Sequence, residues 1–161
     1  MVGKLSQSVF QESYIERNLA IAKAEIVSGW AAVLVKDGQV IDREKGKGIK
    51  PALTLLRRRF SAAQGEEQAL KADEGLVFGD KVLGLAALKL GYLMGCRIMW
   101  GEMVSELAVI EGKRRGVHVE YGQLVPVILN AKGNGLCPME HLAFAHDDDL
   151  GFYYDLSERT R

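Results

Sequence analysis

The sequence predicts an α/β sandwich with a mixed sheet, and three observations carry that prediction. Two apolar runs, Trp30 to Val35 and Val40-Ile41, flank Lys36-Asp37-Gly38-Gln39; strand-like and helix-like stretches alternate after them; and one later helix is apolar almost all round. Asp-Gly between two apolar runs is a strong hairpin signal, so the sheet opens with an antiparallel pair. The alternation that follows calls for parallel strands joined by right-handed helical crossovers.

In chain order, Tyr14, Ile15, Leu19, Ile21, Ala22 and Ile26 recur at helical spacing between Gln11 and Val27, which predicts an amphipathic helix added ahead of the domain. After the hairpin, Gly46-Lys47-Gly48-Ile49-Lys50 reads as a connecting turn, and Pro51 begins a helix through Leu53, Leu55, Leu56 and Phe60. Residues 61–75 are polar and predict a mobile loop with one helical turn around Glu66 to Leu70. Leu76-Val77-Phe78 predicts a short strand, with Gly79-Asp80-Lys81 opening a helix that runs to Met94 and stops at Gly95. The small residues Gly84, Ala86, Ala87 and Gly91 would let neighbours approach that helix closely, so it belongs in the middle of the fold.

Arg97 to Val104 is the next strand, and Ser105 is a good N-cap for a helix through Leu107, Val109 and Ile110 that ends near Gly116. Val117-His118-Val119 alternates like a strand, and Leu124 to Leu129 is either a strand or a short helix interrupted at Pro126. Gly133-Asn134-Gly135-Leu136 then leads into a helix from Pro138 to Ala145, with Cys137 at its N-cap and Glu140 at its third position, facing the positive end of the dipole. The organisation expected is a helical extension over 1–29, one α/β domain over 30–146 and a tail over 147–161, which Phe152, Tyr153 and Tyr154 are able to dock.

Composition narrows the function classes. With 161 residues the chain is long enough for one domain with a full core. Its 21 basic and 21 acidic residues cancel, so the electrostatic footprint of a sequence-independent nucleic-acid binder is missing and no nucleic-acid partner is expected. No apolar run is long enough for a membrane span, and the N-terminus lacks the sections of a signal peptide. Two cysteines, Cys96 and Cys137, and no secretion signal point to a reducing cytoplasm.

In open parallel sheets ligands gather at the carboxyl ends of strands, where helix N-termini point. Three stretches are candidates to meet there: Gly79-Asp80-Lys81, Val104-Ser105-Glu106 and Gly135-Leu136-Cys137. The N-cap position should favour the thiolate of Cys137, which makes it a candidate nucleophile or redox thiol, with Lys81 or His141 assisting. Asp80, Lys81, Ser105, Glu106, Gly135 and Cys137 are the candidate ligand contacts, a carboxylate and an ammonium side by side being suited to grip a polar ligand. The plainer reading is that Asp80 and Ser105 cap helices. Cys96, Trp30 and Trp100 are expected in the core, and His146 with the nearby aspartates has no recognised metal spacing.

The blocks Ala32-Val33-Leu34-Val35-Lys36-Asp37-Gly38, Gly46-Lys47-Gly48-Ile49-Lys50-Pro51, Asp80-Lys81-Val82-Leu83-Gly84, Val104-Ser105-Glu106 and Gly135-Leu136-Cys137-Pro138-Met139-Glu140 resemble an uncharacterised bacterial domain-of-unknown-function family whose fold is similar to cytidine deaminases. The resemblance spans Trp30 to about His146. It implies a three-layer α/β/α, cytidine-deaminase-like sandwich and brings no established activity. Zinc deaminases carry H-x-E at one helix start and P-C-x-x-C at the next. Here those positions read Asp80-Lys81-Val82 and Val104-Ser105-Glu106, and neither cysteine sits in a C-x-x-C, so no metal site is expected. Together these readings favour a small-molecule-binding protein of deaminase-like fold without zinc, its ligand a nucleotide or nucleobase-like compound. A Cys137-dependent enzyme of transfer or redox chemistry is the alternative, and a dimeric interaction protein using the apolar helix and aromatic tail is a third. A homodimer is expected, and no cofactor is assigned.

Overall fold

The computed structural model describes residues 2–160, with side chains from residue 12 onward except residue 66. Helix α1 (Val2–Val27) precedes the hairpin β1 (Ala32–Lys36) and β2 (Gln39–Glu44). Asp37 and Gly38 take φ of 52° and 74°, the two successive positive values that a tight hairpin turn needs, so Lys36 faces Gln39 across it. α1 clamps this turn: Asp37 N–H donates to the Tyr14 hydroxyl (2.7 Å) and Gly38 N–H to Asn18 Oδ1 (2.9 Å). Tyr14 and Asn18 are four apart and share one helix face. α1 starts well before the expected Gln11, since no proline interrupts residues 4–11.

Helix α2 (Lys50–Ala62) follows, with Pro51 in its first turn, and then the single turn α3 (Glu66–Ala69) in the polar stretch. Strand β3 (Asp73–Leu83) departs most from expectation. Gly79-Asp80-Lys81 does not open a helix; the strand runs through it, and α4 (Leu85–Leu93) begins only after Gly84. Gly79 serves packing rather than turning. A Cβ there would sit 2.8 Å from Val33 Cγ1 and 3.3 Å from Ala22 Cβ, so its absence lets α1 lie close over the sheet. β4 (Cys96–Ser105), α5 (Glu106–Arg114), β5 (His118–Val125), α6 (Pro138–Ala145) and α7 (Asp149–Arg159) complete the chain.

The five strands form a mixed sheet in the order β2-β1-β3-β4-β5. β1 is antiparallel to both neighbours, while β3, β4 and β5 are parallel, so the carboxyl ends of these three lie along one edge. One face buries Val33, Val35, Val77, Ile98 and Trp100 against Leu19, Ala22 and Ile26 of α1. The other buries Leu34, Leu76, Phe78 and Met99 against α2 and α4. α4 contacts α6 and α7 as well as the sheet, which explains why it is apolar nearly all round. Gly91 makes this possible, because a Cβ there would fall 2.7 Å from Phe78 and 2.8 Å from Met99.

Residues 149–159, expected as a tail, are helix α7, capped by Asp148 Oδ2 accepting from Gly151 N–H (3.1 Å). Phe152 and Leu156, four apart, are fully buried in the main core, each contributing about 1.5–3 kcal/mol of burial. Cys96 is in the core as expected, and its apolar surroundings push the thiol up to about 12. Trp100 is also core, but Trp30 is half-buried, with Arg43 4.0 Å and Lys45 4.8 Å from its ring centre. Those cations replace the core contacts expected of it. No described helix is long and apolar enough to cross a membrane.

Candidate functional site

At the carboxyl edge of the parallel strands a recess of about 310 Å³ opens between the starts of α2, α4 and α6. Val82, Ile49, Ala86, Ala87, Ile128, Leu129 and Met139 give it an apolar wall, and Cys137, Asn130 and Glu140 supply its polar side chains. Among the described residues no lysine or arginine lines it. Larger surface grooves of 560 and 680 Å³ lie elsewhere. The first surrounds Arg115, whose guanidinium is already taken up by Asp149 (2.5 and 3.0 Å) and Glu111 (2.9 Å), and the second sits at the amino end of β3. A mostly apolar recess with a few converging polar groups at strand carboxyl ends is the better candidate for a ligand site.

The loop ahead of α6 builds one side of the recess. Leu129 pairs with Leu136, and Asn130 N–H donates to the Gly135 carbonyl (2.8 Å), folding the chain back on itself. Cys137 is then the N-cap of α6 and Pro138 follows in its first turn, as the residue types predict. The Cys137 carbonyl accepts from Glu140 N–H (3.0 Å) and His141 N–H (3.2 Å). Its side chain makes no capping bond and lines the recess, half-buried.

Glu140 sits at the third helical position but does not cap its own helix. Its carboxylate reaches the start of α4, where Leu85 N–H donates to Oε1 (2.9 Å) and Ala86 N–H to Oε2 (2.7 Å). The α4 amides are the donors within reach of the buried carboxylate, and they were otherwise orphans of that helix's first turn. Gly84 is the N-cap of α4 and leaves the space: a Cβ there would lie 1.7 Å from Glu140 Oε1. Burial raises the Glu140 pKa from the ordinary carboxyl value, against the pull of the two amides. The favour is returned at the other end. Lys89 of α4 is buried, and its Nζ donates to the Ala143 (2.6 Å) and His146 (2.5 Å) carbonyls where α6 ends. A carboxylate from α6 thus satisfies the positive end of α4, and an ammonium from α4 satisfies the negative end of α6.

Asp80 is buried in β3, two residues before the recess-lining Val82, whose N–H donates to Asp80 Oδ1 (3.1 Å). Burial holds its pKa well above the usual carboxylate range, and the Val82 and Lys81 amides offset this only in part. Lys81 is half-buried, with its N–H donating to the Ala31 carbonyl. Ser105 is buried and caps α5, its Oγ accepting from Ala108 N–H (3.2 Å), while Glu106 is exposed in the first turn of that helix. Of the residues singled out from the sequence, Cys137 lines the recess; Asp80 lies next to its wall, and Lys81, Ser105, Glu106 and Gly135 lie outside its lining. Sequence reasoning missed Glu140 and Asn130 as recess residues and Gly84 as the glycine that admits the carboxylate. Among the described residues no three His, Cys, Asp or Glu side chains form a group able to hold a metal ion.

A crystal structure of a DUF1893 family protein, TM1506 from Thermotoga maritima, is similar to this chain over 87% of each, with a TM-score of 0.70 and 21% sequence identity. At that identity the likeness shows the fold. No curated protein matches the chain. The model of the same family, described as a domain of unknown function, matches residues 21–158, so the chain belongs to the DUF1893 family.

Proposed function

We propose that the protein binds a small, flat, largely apolar molecule, nucleobase-like in shape, in the recess at the carboxyl edge of the sheet, on a scaffold of cytidine-deaminase-like ancestry. The observation that carries this reading is the 310 Å³ recess itself, apolar in its walls and supplied with three polar side chains. Among the described residues the lining holds no lysine or arginine, which favours the ring of a nucleotide over its phosphate. The donor set does not fit a deaminase zinc site, because the recess offers one thiol and a carboxylate that is already bound to two amides.

Val82 is 41% exposed at the rim, so Val82→Trp is expected to fill the mouth and leave the fold intact. Binding of small heteroaromatic probes, followed by chemical shifts of the Ala86 and Ala87 amides, should fall at least about tenfold, the effect of roughly 1.4 kcal/mol. Unchanged binding in that variant removes the recess as the site.

A second reading, thiol chemistry at Cys137, is favoured by the position of that side chain in the recess. It requires iodoacetamide to modify Cys137 rapidly and to keep doing so at mildly acidic pH, while buried Cys96 stays untouched. Sluggish modification throughout the range rules out the enzyme reading.

A further inference from the structure

We propose that the groove at the amino end of β3 is a second binding site, which takes a small carboxylate on the guanidinium of Arg59. The position of this arginine is unusual for its helix. Ala52, Leu55 and Leu56 form the buried apolar stripe of α2, and the next place on that stripe, four residues after Leu55 and three after Leu56, is Arg59. The side chain is half-buried, and its charge reaches the core, where it draws the Cys96 thiol pKa down against the effect of burial. Arg59 Nε is shut off from solvent and has no hydrogen-bond partner. An orphaned N–H on a permanently charged group is costly, and a carboxylate is the partner that matches the guanidinium fork.

The carboxylates of the chain are committed elsewhere. Arg58, one residue back, is paired with Asp42 (3.0 Å) and Glu44, whereas among the described residues no ion pair reaches Arg59. Asp73 lines the same groove, yet it accepts from Lys36 Nζ (2.7 Å) and Gly75 N–H (3.3 Å). The groove, of about 680 Å³, has alanine walls at 62, 63, 69 and 72, and Lys71 adds a second, exposed cation. With Asp73 and Glu74 alongside, one delocalised negative charge is better tolerated there than the double charge of a phosphate. This site lies at the opposite end of the 11-residue β3 from the recess, so it stands or falls independently of the ligand reading given above.

The test titrates the isotope-labelled full chain with succinate and with succinamide, its neutral counterpart, at neutral pH and fixed ionic strength. The Arg59 Nε–H signal and the amides of Ala63 and Gly75 are followed by NMR. Succinate should bind at least about tenfold more tightly than succinamide and should move the Arg59 Nε–H signal furthest. Arg59→Leu extends the apolar stripe, so the chain should fold and lose succinate affinity by at least about tenfold, read at the same two amides. Equal affinities for the two compounds overturn the anion site. Succinate binding that is unchanged in Arg59→Leu overturns the role of Arg59. Inorganic phosphate binding more tightly than succinate overturns the carboxylate preference. The Arg59 Nε–H signal of the native chain decides the matter even if the variant fails to fold.

Discussion

Gly84→Ala is expected to destabilise the protein by about 3–5 kcal/mol, the sum of an overpacked site and two buried amides deprived of their acceptor. The added Cβ would lie 1.7 Å from Glu140 Oε1, 2.5 Å from its Cδ and 2.9 Å from Ile128 Cγ1, so the carboxylate has to leave the start of α4. Glu140→Ala removes the same acceptor without the clash and should cost about 2–4 kcal/mol. At roughly 2–4 °C per kcal/mol for a domain of this size, both losses are readily seen in thermal melts. The decisive comparison is the double variant. Once the carboxylate is gone, the Cβ at position 84 meets mainly Ile128, and the two costs should add to clearly less than their sum. Strict additivity would mean that Gly84 and Glu140 act independently and that the link between α4 and α6 is misread.

Asp80→Asn is expected to change stability in the opposite direction. The Asp80 carboxyl is buried, and its pKa in the folded chain is raised well above the ordinary value of 3.8, through burial first. A raised acid binds its proton more tightly in the folded state, so its stabilising contribution is present below pH 3.8 and is lost as pH rises through the folded-state pKa. Above the ordinary value the buried group is therefore a net cost. An asparagine oxygen still accepts the Val82 N–H, so the variant should gain about 1–3 kcal/mol at pH 7 and lose this part of the pH slope. Denaturant midpoints measured from pH 4 to 8 report it. A native chain whose midpoint does not fall relative to the variant across that range would contradict the assigned burial.

Glu111 works the other way and in a different window. Its pKa is lowered to about 2, chiefly by the hydrogen bond from Arg114 and then by Arg115, so its contribution is present above pH 4.5 and is lost as pH falls toward 2. The two slopes therefore separate around pH 4. Ser105 shows the contrasting case of a neutral, satisfied cap in the same fold, its Oγ accepting from Ala108 N–H.

The parts of the fold legible in the sequence are those where one residue has one physical meaning. Asp37-Gly38 encodes the positive φ of its turn, Ser105 offers an oxygen to the first turn of α5, and Pro138 suits only a helix start. The misreadings come from residues with two meanings. Gly79 looks like a turn beside Asp80, yet its lack of a Cβ is used for the approach of α1, a contact between segments some fifty residues apart. Glu140 has the right place for a local helix cap and a long-range partner that no spacing rule reveals. Cys137 could be found because its role is local, whereas the Glu140 side of the recess exists only once α4 and α6 are side by side.

The single helix α1 has a consequence for how the chain can be cut. Its Leu19, Ala22 and Ile26 cover Val33, Val35, Val77, Ile98 and Trp100, and it also holds the hairpin turn through Tyr14 and Asn18. A protease that trimmed the chain to Trp30 would release a bare sheet face of branched aliphatic and indole side chains, the kind of surface that drives self-association from the moment it is wetted. The segment that looks most like an appendage in the sequence is thus the one whose loss would make the remainder insoluble.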